Sequence, residues 1–430
     1  MPVVVTLGCY AGVAGRDEAG AGGSLPGESN GEVGDEENPG ESGDDPEDGE
    51  AGTGESSGWG TGSGVDEPQT RRAFGPVAVR RLSRREYADS VAAATGVRLS
   101  DVDLQAFPQD TYAPFDNDAD TQMPSAAIVE GLSILAESVA LTVQGDPALS
   151  SALVPCSATA VDQACTQAFV TRFGRLAFRR PLTADEVTAY TDAALAISAA
   201  NDDTSAGVRV VMQAFLQDTE FVYRIEVGRP VADDLGIVEL DGYELASRLS
   251  FLLWGIGPDD ALLDRAAAGD LNAGGSLEGI AVDMLAAPLA RSRVSRFVAM
   301  WLGYDRPLPS AEQDEAMRRE SAALVDRVVF DRGLSWFDLF TSPETFVSAD
   351  LASHYGLPVP AGADGWVAYP PDSGRGGILS HGTFLSNGVK AGDTSPTRRG
   401  YNIRERLACQ VIPPPPPDLM VDVDNPPVGE

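Results

Sequence analysis

Histidine and lysine are almost missing from this chain: 430 residues hold two histidines, His354 and His381, and only one of the 31 basic residues is a lysine, Lys390. Two imidazoles are too few for most zinc sites. Cysteine is also sparse, at positions 9, 156, 165 and 409. No run of eighteen apolar residues occurs, so the sequence offers no bilayer-spanning stretch. Positive charge is short as well: 65 acidic against 31 basic residues leave a formal charge of -34. That field repels phosphate backbones and anionic lipid headgroups, which argues against nucleic acid as a partner. The preference for arginine over lysine accompanies abundant Ala and Gly and reads as composition.

The length allows two to three folding units. Residues 11–70 are rich in Gly, Glu, Asp and Ser, with little that can build a core, so burial cannot offset the ordering entropy. The segment reads as a disordered acidic linker, spanning roughly 40 to 45 Å as a flexible coil. Residues 1–10 end in Leu7-Gly8-Cys9 after a short apolar run, the pattern of a lipoprotein-type signal remnant with Cys9 as the lipidated residue. A chance N-terminus is the alternative. Cys156 and Cys165 lie close enough to cross-link if the intervening turn folds back; the loop would constrain the unfolded chain by roughly 2.5 to 3 kcal/mol. That pairing fits an oxidising compartment outside the cytoplasm. Were Cys9 lipidated, Cys409 would need a partner elsewhere or stay free.

The folded part is expected to be mainly α, a multi-helix body followed by a Gly/Pro-rich, loop-dominated C-terminal module. Capping-box spacing of Ser83 with Glu86, Thr183 with Glu186 and Asp241 with Glu244 predicts three helix starts. Leu82, Tyr87 and Val91 share one face of the first. In the third, Leu245, Leu249, Leu252 and Leu253 form a stripe expected to face a core. Val294, Phe297, Trp301 and Tyr304 repeat at helical spacing after Pro288 and read as packing residues. Beyond Thr345 the apolar pieces are short and the chain reads mostly as loop, until Ser395-Pro396 starts a further helix. Five prolines then form a stiff spacer.

Four stretches carry a more specific signal. "LSRREYADSVAAATG" with "FPQDTYAPFDN", "FGRLAFRRPLTADEV", "LASRLSFLLWGIGPDDALLDRAAAGDL" with "FVAMWLG", and "RGGILSHGTFLSN" with "TSPTRRGYNIRERLACQVIPPPPP" occur in that order. They resemble successive modules, the domains of unknown function 1587, 1595, 1592 and 1588, of the planctomycete and myxobacterial cytochrome-associated multidomain family. The resemblance implies modules over residues 77–145, 160–230, 236–358 and 374–425. It also implies a continuation into a Cys-x-x-Cys-His segment that attaches c-type haem. The four cysteines here cannot form that motif, so the expectation is a chain carrying no haem itself, its haem-binding part lying beyond Glu430.

Candidate chemistry is thin. His381 and His354 are the available axial-ligand or proton-shuttle candidates, with loop bracing as the alternative for each. Lys390 reads as an exposed loop amine. Asp110, Asp116, Asp118 and Asp120 read as a solvated acidic turn, with Ca²⁺ binding or glycan cleavage as the other uses of clustered carboxylates. Arg179, Arg180 and the Arg224/Glu226 pair are expected to serve helix-end charge and ion pairs. No metal site is expected, and no catalytic residue can be assigned. Three readings follow: the helical body of an exported redox or electron-transfer protein, a cell-surface binding or scaffold module, and a hydrolase of extracellular polymer.

Overall fold

Each helix must satisfy its first free N–H groups, and the three capping boxes do so. Ser83 and Glu86 cap α1 (Arg84–Thr95) reciprocally, and Gly96 ends it with a left-handed φ of 78°. The computed structural model describes residues 78–111, 115–154, 156, 161–231, 237–306, 311–387 and 395–413. Cys9, the acidic segment 11–70, Lys390 and residues 414–430 lie outside them. The described fold is mainly α.

The first block is a helical bundle closed by its own ends. It comprises α1, α2 (Ala126–Gly145), α3 (Pro147–Leu153), α4 (Gln163–Phe178), α5 (Ala184–Asn201), α6 (Ala206–Gln217) and α7 (Thr219–Val222). β1 (Arg80–Arg81) pairs antiparallel with β2 (Tyr223–Arg224), so the residues opening and closing the bundle meet. Its core contains Tyr87, Val91, Leu135, Val139, Phe169, Phe173, Phe215 and Leu216. Each such side chain contributes about 1.5 to 3 kcal/mol through burial. Among the described helices, α2 alone is long and apolar enough to cross a membrane. In the fold its Ile128, Leu132, Leu135, Val139 and Val143 face is buried against this core.

The second block starts with the pairing of β3 (Arg229–Pro230) and β4 (Val238–Glu239) and continues through α8 (Gly242–Leu253), α9 (Asp260–Ala267), α10 (Ser276–Leu285) and α11 (Pro288–Leu302). Asp241 and Glu244 cap α8 as their spacing predicts. The leucine stripe behaves differently. The deeply buried face of α8 is Gly242, Ala246, Ser247, Ser250 and Phe251. Leu245, Leu249 and Leu253 are a half-buried flank on the second core, and Leu252 is 59% exposed. The helix lies between two cores, so its small residues take the close approach while Phe251 enters the first core.

The third block contains α12 (Ala311–Asp326), a π-helical turn at Arg327–Asp331, α13 (Asp338–Thr341), β5 (Glu344–Ser348), α14 (Ala349–Tyr355), β6 (Asp364–Ala368), α15 (Gly382–Leu385) and α16 (Pro396–Asn402). β5 and β6 pair antiparallel with Phe346 opposite Trp366. The stretch from Glu344 onward therefore holds a two-stranded antiparallel ladder, with α14 between its strands, that its Gly/Pro content hides. Thr345 and Val347 alternate inward over only five residues, too short a run for a confident reading from sequence. Phe297 and Trp301 pack against this core, and Tyr304 is buried in it just past the end of α11.

Helix contact is closest where glycine removes the side chain. A Cβ on Gly207 of α6 would collide with the Ala194 carbonyl of α5, which is backbone and cannot step aside. Gly207→Ala is expected to cost about 1 to 3 kcal/mol, read as a lower denaturant midpoint with an unchanged slope.

A sealed carboxylate and histidine network as the candidate functional site

α12 and the π-helical turn that follows it carry an apolar face, Met317, Leu324 and Val325 from the helix and Val328 from the turn, into the third core. Glu320 and Ser321 sit on the same face and are fully buried. A carboxylate taken from water needs donors, and the neighbouring elements supply them. Thr345 of β5 donates to Glu320 Oε1 at 2.5 Å, and Tyr355 at the end of α14 donates to Oε2 at 2.8 Å. The Gly382 backbone N–H in turn donates to the Tyr355 hydroxyl at 2.8 Å.

His381 enters from the C-terminal segment and is also fully buried. Its Nδ1 lies 3.1 Å from Ser321 Oγ, which shares a 2.7 Å hydrogen bond with Thr383. Its Nε2 lies 3.5 Å from Thr345 Oγ1 and 3.7 Å from Glu320 Oε1. Burial pushes the imidazole down to about 3, with Arg375 adding to the shift, so the ring is neutral. Burial pushes Glu320 up to about 7, against the opposing hydrogen bonds from Thr345 and Tyr355. Tyr355 is raised by burial and by the adjacent carboxylate.

Serine, histidine and glutamate are the components of a nucleophilic triad, but here serine meets Nδ1 and the carboxylate lies on the Nε2 side. All three are closed to solvent. The arrangement joins two segments by hydrogen bonds; a substrate cannot reach it without an opening. His354 is exposed in the last turn of α14, its ring 5.6 Å from that of Tyr355.

The residues of the expected acidic turn are not solvated as a group. Asp110 pairs with Arg81 at 3.0 Å and accepts from the Arg84 N–H, while Asp116, 1% exposed, pairs with Arg296 of α11. Glu86 meets Arg293 at 3.3 Å, and Phe115 stacks on Phe297 at 5.6 Å. Desolvation explains the difference, because carboxylates buried between two blocks require cations. Asp118 instead caps a short 3₁₀ turn through the Asp120 N–H. Among the described residues, no three His, Cys, Asp or Glu side chains converge on a metal position.

The arginines also depart from simple helix-end roles. Arg179 ends α4 in the left-handed region and donates to the carbonyls of Phe221, Glu220 and Tyr223. Its burial lowers it to about 10. Arg224 lies over the Phe251 ring at 5.4 Å, and Glu226 pairs with Arg248 rather than with Arg224. Arg180 does form an ion pair, with Glu186 at 3.0 Å. Cys156 and Cys165 are joined as a disulfide, their Cα atoms 5.6 Å apart.

Four family models match the chain in sequence order. They are PSD3, protein of unknown function (DUF1587), over residues 80–144; PSD5 (DUF1595) over 165–226; PSD4 (DUF1592) over 240–357; and PSCyt3 (DUF1588) over 375–428. The chain belongs to this multidomain family. Neither a curated protein nor a solved structure matches it. The sealed network joins two of its modules: Glu320, Ser321, Thr345 and Tyr355 fall within the DUF1592 match, and Arg375, His381, Gly382 and Thr383 within the DUF1588 match.

Two outcomes are expected. Arg296→Met leaves Asp116 buried without its cation and should lower stability by about 3 to 5 kcal/mol in urea unfolding. His381, depressed in the fold, contributes stability that is complete above its unfolded value near 6.5 and is lost as pH falls towards about 3. Stability measured stepwise over that interval should fall less steeply for His381→Asn than for the wild type.

Proposed function

We propose that this chain is the helical body of an exported, cytochrome-associated protein serving oxidoreduction or electron transfer. The observation that carries the reading is the ordered set of four modules, one of which bears the name PSCyt3. The Cys156–Cys165 disulfide is in keeping with an oxidising compartment. Leu7-Gly8-Cys9 followed by the acidic Gly-rich segment supports a lipid anchor and tether at the cell envelope. The large negative charge supports partners other than nucleic acid.

The haem implied by this reading does not fit the described histidines. Both His381 nitrogens face protein oxygens in a fully buried pocket, so an axial bond would require the ring to abandon them. His354 has no second imidazole beside it among the described residues. Covalent attachment lacks its motif, since the cysteines stand at 9, 156, 165 and 409. The reading therefore assigns c-type haem to a segment outside this sequence and gives the present residues the work of scaffolding it.

A second reading, a non-catalytic surface scaffold, is favoured by the sealing of the Glu320/His381 network from solvent. Polymer hydrolysis is disfavoured because Asp110 and Asp116 are each held by an arginine. Exporting the product of the complete natural reading frame to a bacterial periplasm separates these readings. A haem Soret band and a downstream Cys-x-x-Cys-His are expected; a complete frame without the motif, giving a colourless product, overturns the redox reading. Cys156 and Cys165 in that product should resist alkylation until reductant is added.

A further inference from the structure

The first block and the loop between α8 and α9 leave a space where they meet. A cavity of about 340 Å³ lies there, walled by α1, α3, α4, α7 and residues 256–260. Leu149, Leu153, Leu176 and Ile256 give it an apolar lining, and its best-covered walls, Phe173 and Phe221, are each 2% exposed. Three family matches contribute: Ser90 to Gly96 lie in the DUF1587 match, Arg172 to Phe221 in DUF1595, and Ile256 to Asp260 in DUF1592. Apolar cavities of about 300 Å³ and upward at such boundaries are the usual seats of small molecules.

We propose that this cavity binds a small neutral molecule, one or two rings in size, whose single hydroxyl or carbonyl oxygen hydrogen-bonds to Ser90. The inference stands apart from the redox assignment and would hold equally for a scaffold.

The chemical class follows from the polar side chains in the lining, all but one of which are committed. Thr95 donates to Val91 O at 2.7 Å and accepts from the Val97 N–H. Arg172 donates to Ala152 O at 2.9 Å, and Arg179 is held by the carbonyls of Glu220, Phe221 and Tyr223. Asp259 caps α9 through the Leu262 N–H, while Asp260 pairs with Arg175 at 3.1 Å. These two arginines and two aspartates also cancel in charge, so the lining favours neither an anion nor a cation. Ser90 is left. It is 4% exposed, and its hydroxyl has no partner among the described residues. A buried hydroxyl without a partner costs stability, and rotation about its Cα–Cβ bond is the small adjustment that presents it to an occupant.

Size sets the rest. An apolar cavity of about 150 Å³ accommodates benzene, so the larger space here admits a second ring. The Phe173 and Phe221 rings in the wall offer edge and face contacts to an aromatic occupant. Gly257 also lines the cavity, with a φ outside the left-handed region. A Cβ there would come no nearer than 3.7 Å to its surroundings, at the Arg179 stem. A larger side chain at 257 therefore suits the backbone and competes with the occupant for space.

The test is equilibrium dialysis of the full chain at neutral pH against 1-naphthol, naphthalene and 1-naphthoate. 1-Naphthol should bind at one site with a Kd below about 1 mM, and naphthoate at least about tenfold more weakly. Ser90→Ala should weaken 1-naphthol about three- to tenfold and leave naphthalene unchanged, because only the first has an oxygen to lose. Gly257→Leu should weaken both by at least about tenfold. If Gly257→Leu fails to fold, Ser90→Ala decides alone, since removing an unpartnered hydroxyl should not lower the denaturant midpoint. Absence of saturable 1-naphthol binding, naphthoate bound as tightly as 1-naphthol, equal losses of 1-naphthol and naphthalene in Ser90→Ala, or full affinity in a folded Gly257→Leu would each overturn the site.

Discussion

Burying a charge is tolerable only when something nearby compensates it, and the placement of compensation organises this fold. Between the first block and α11 the compensation is guanidinium, with Arg293 and Arg296 meeting Glu86 and Asp116, and within the first block Arg81 does the same for Asp110. Around Glu320 of α12 it is the hydroxyls of Thr345 and Tyr355. The two seams have different consequences. A guanidinium stays charged throughout the accessible pH range, so the first seam holds a fixed cation against each carboxylate, whereas the second offers Glu320 neutral hydroxyls.

The same contrast explains why the family's modules are not independent folding units here. β1 in the first match pairs with β2 in the second, Phe251 of the third match lies in the first core, and His381 of the fourth completes a network begun by Glu320 in the third. Sequence boundaries separate the modules, while side chains cross every boundary. Chemistry suited to a reacting site, a serine, a histidine and a carboxylate, is used to hold two of them together.

Local signals in the sequence were legible where they depend on nearest neighbours. Ser83/Glu86, Thr183/Glu186 and Asp241/Glu244 start helices by contacts three residues apart, and all three boxes form. Ser395 likewise caps the helix beginning at Pro396. Long-range environment was not legible. The α8 leucines gave a clean stripe, yet a helix wedged between two cores buries its small residues most deeply. Asp110 and Asp116 looked solvated because their arginines lie 29 and 180 residues away in the chain. His381 was visible as a scarce residue, but its partners Glu320 and Ser321 were not. The available sign was a carboxylate set on the apolar stripe of Met317, Leu324 and Val328.

Gly382 carries a consequence for how such chains diversify. With Met317 and Tyr355 packed where its side chain would begin, the segment has one admissible seating, and its partners are distributed over three earlier elements. Exchange of the last module between relatives would therefore succeed only if the complementary half travelled with it. Recombination at that boundary is constrained by shape, even though the intervening sequence is rich in the glycine and proline that ordinarily make a junction permissive.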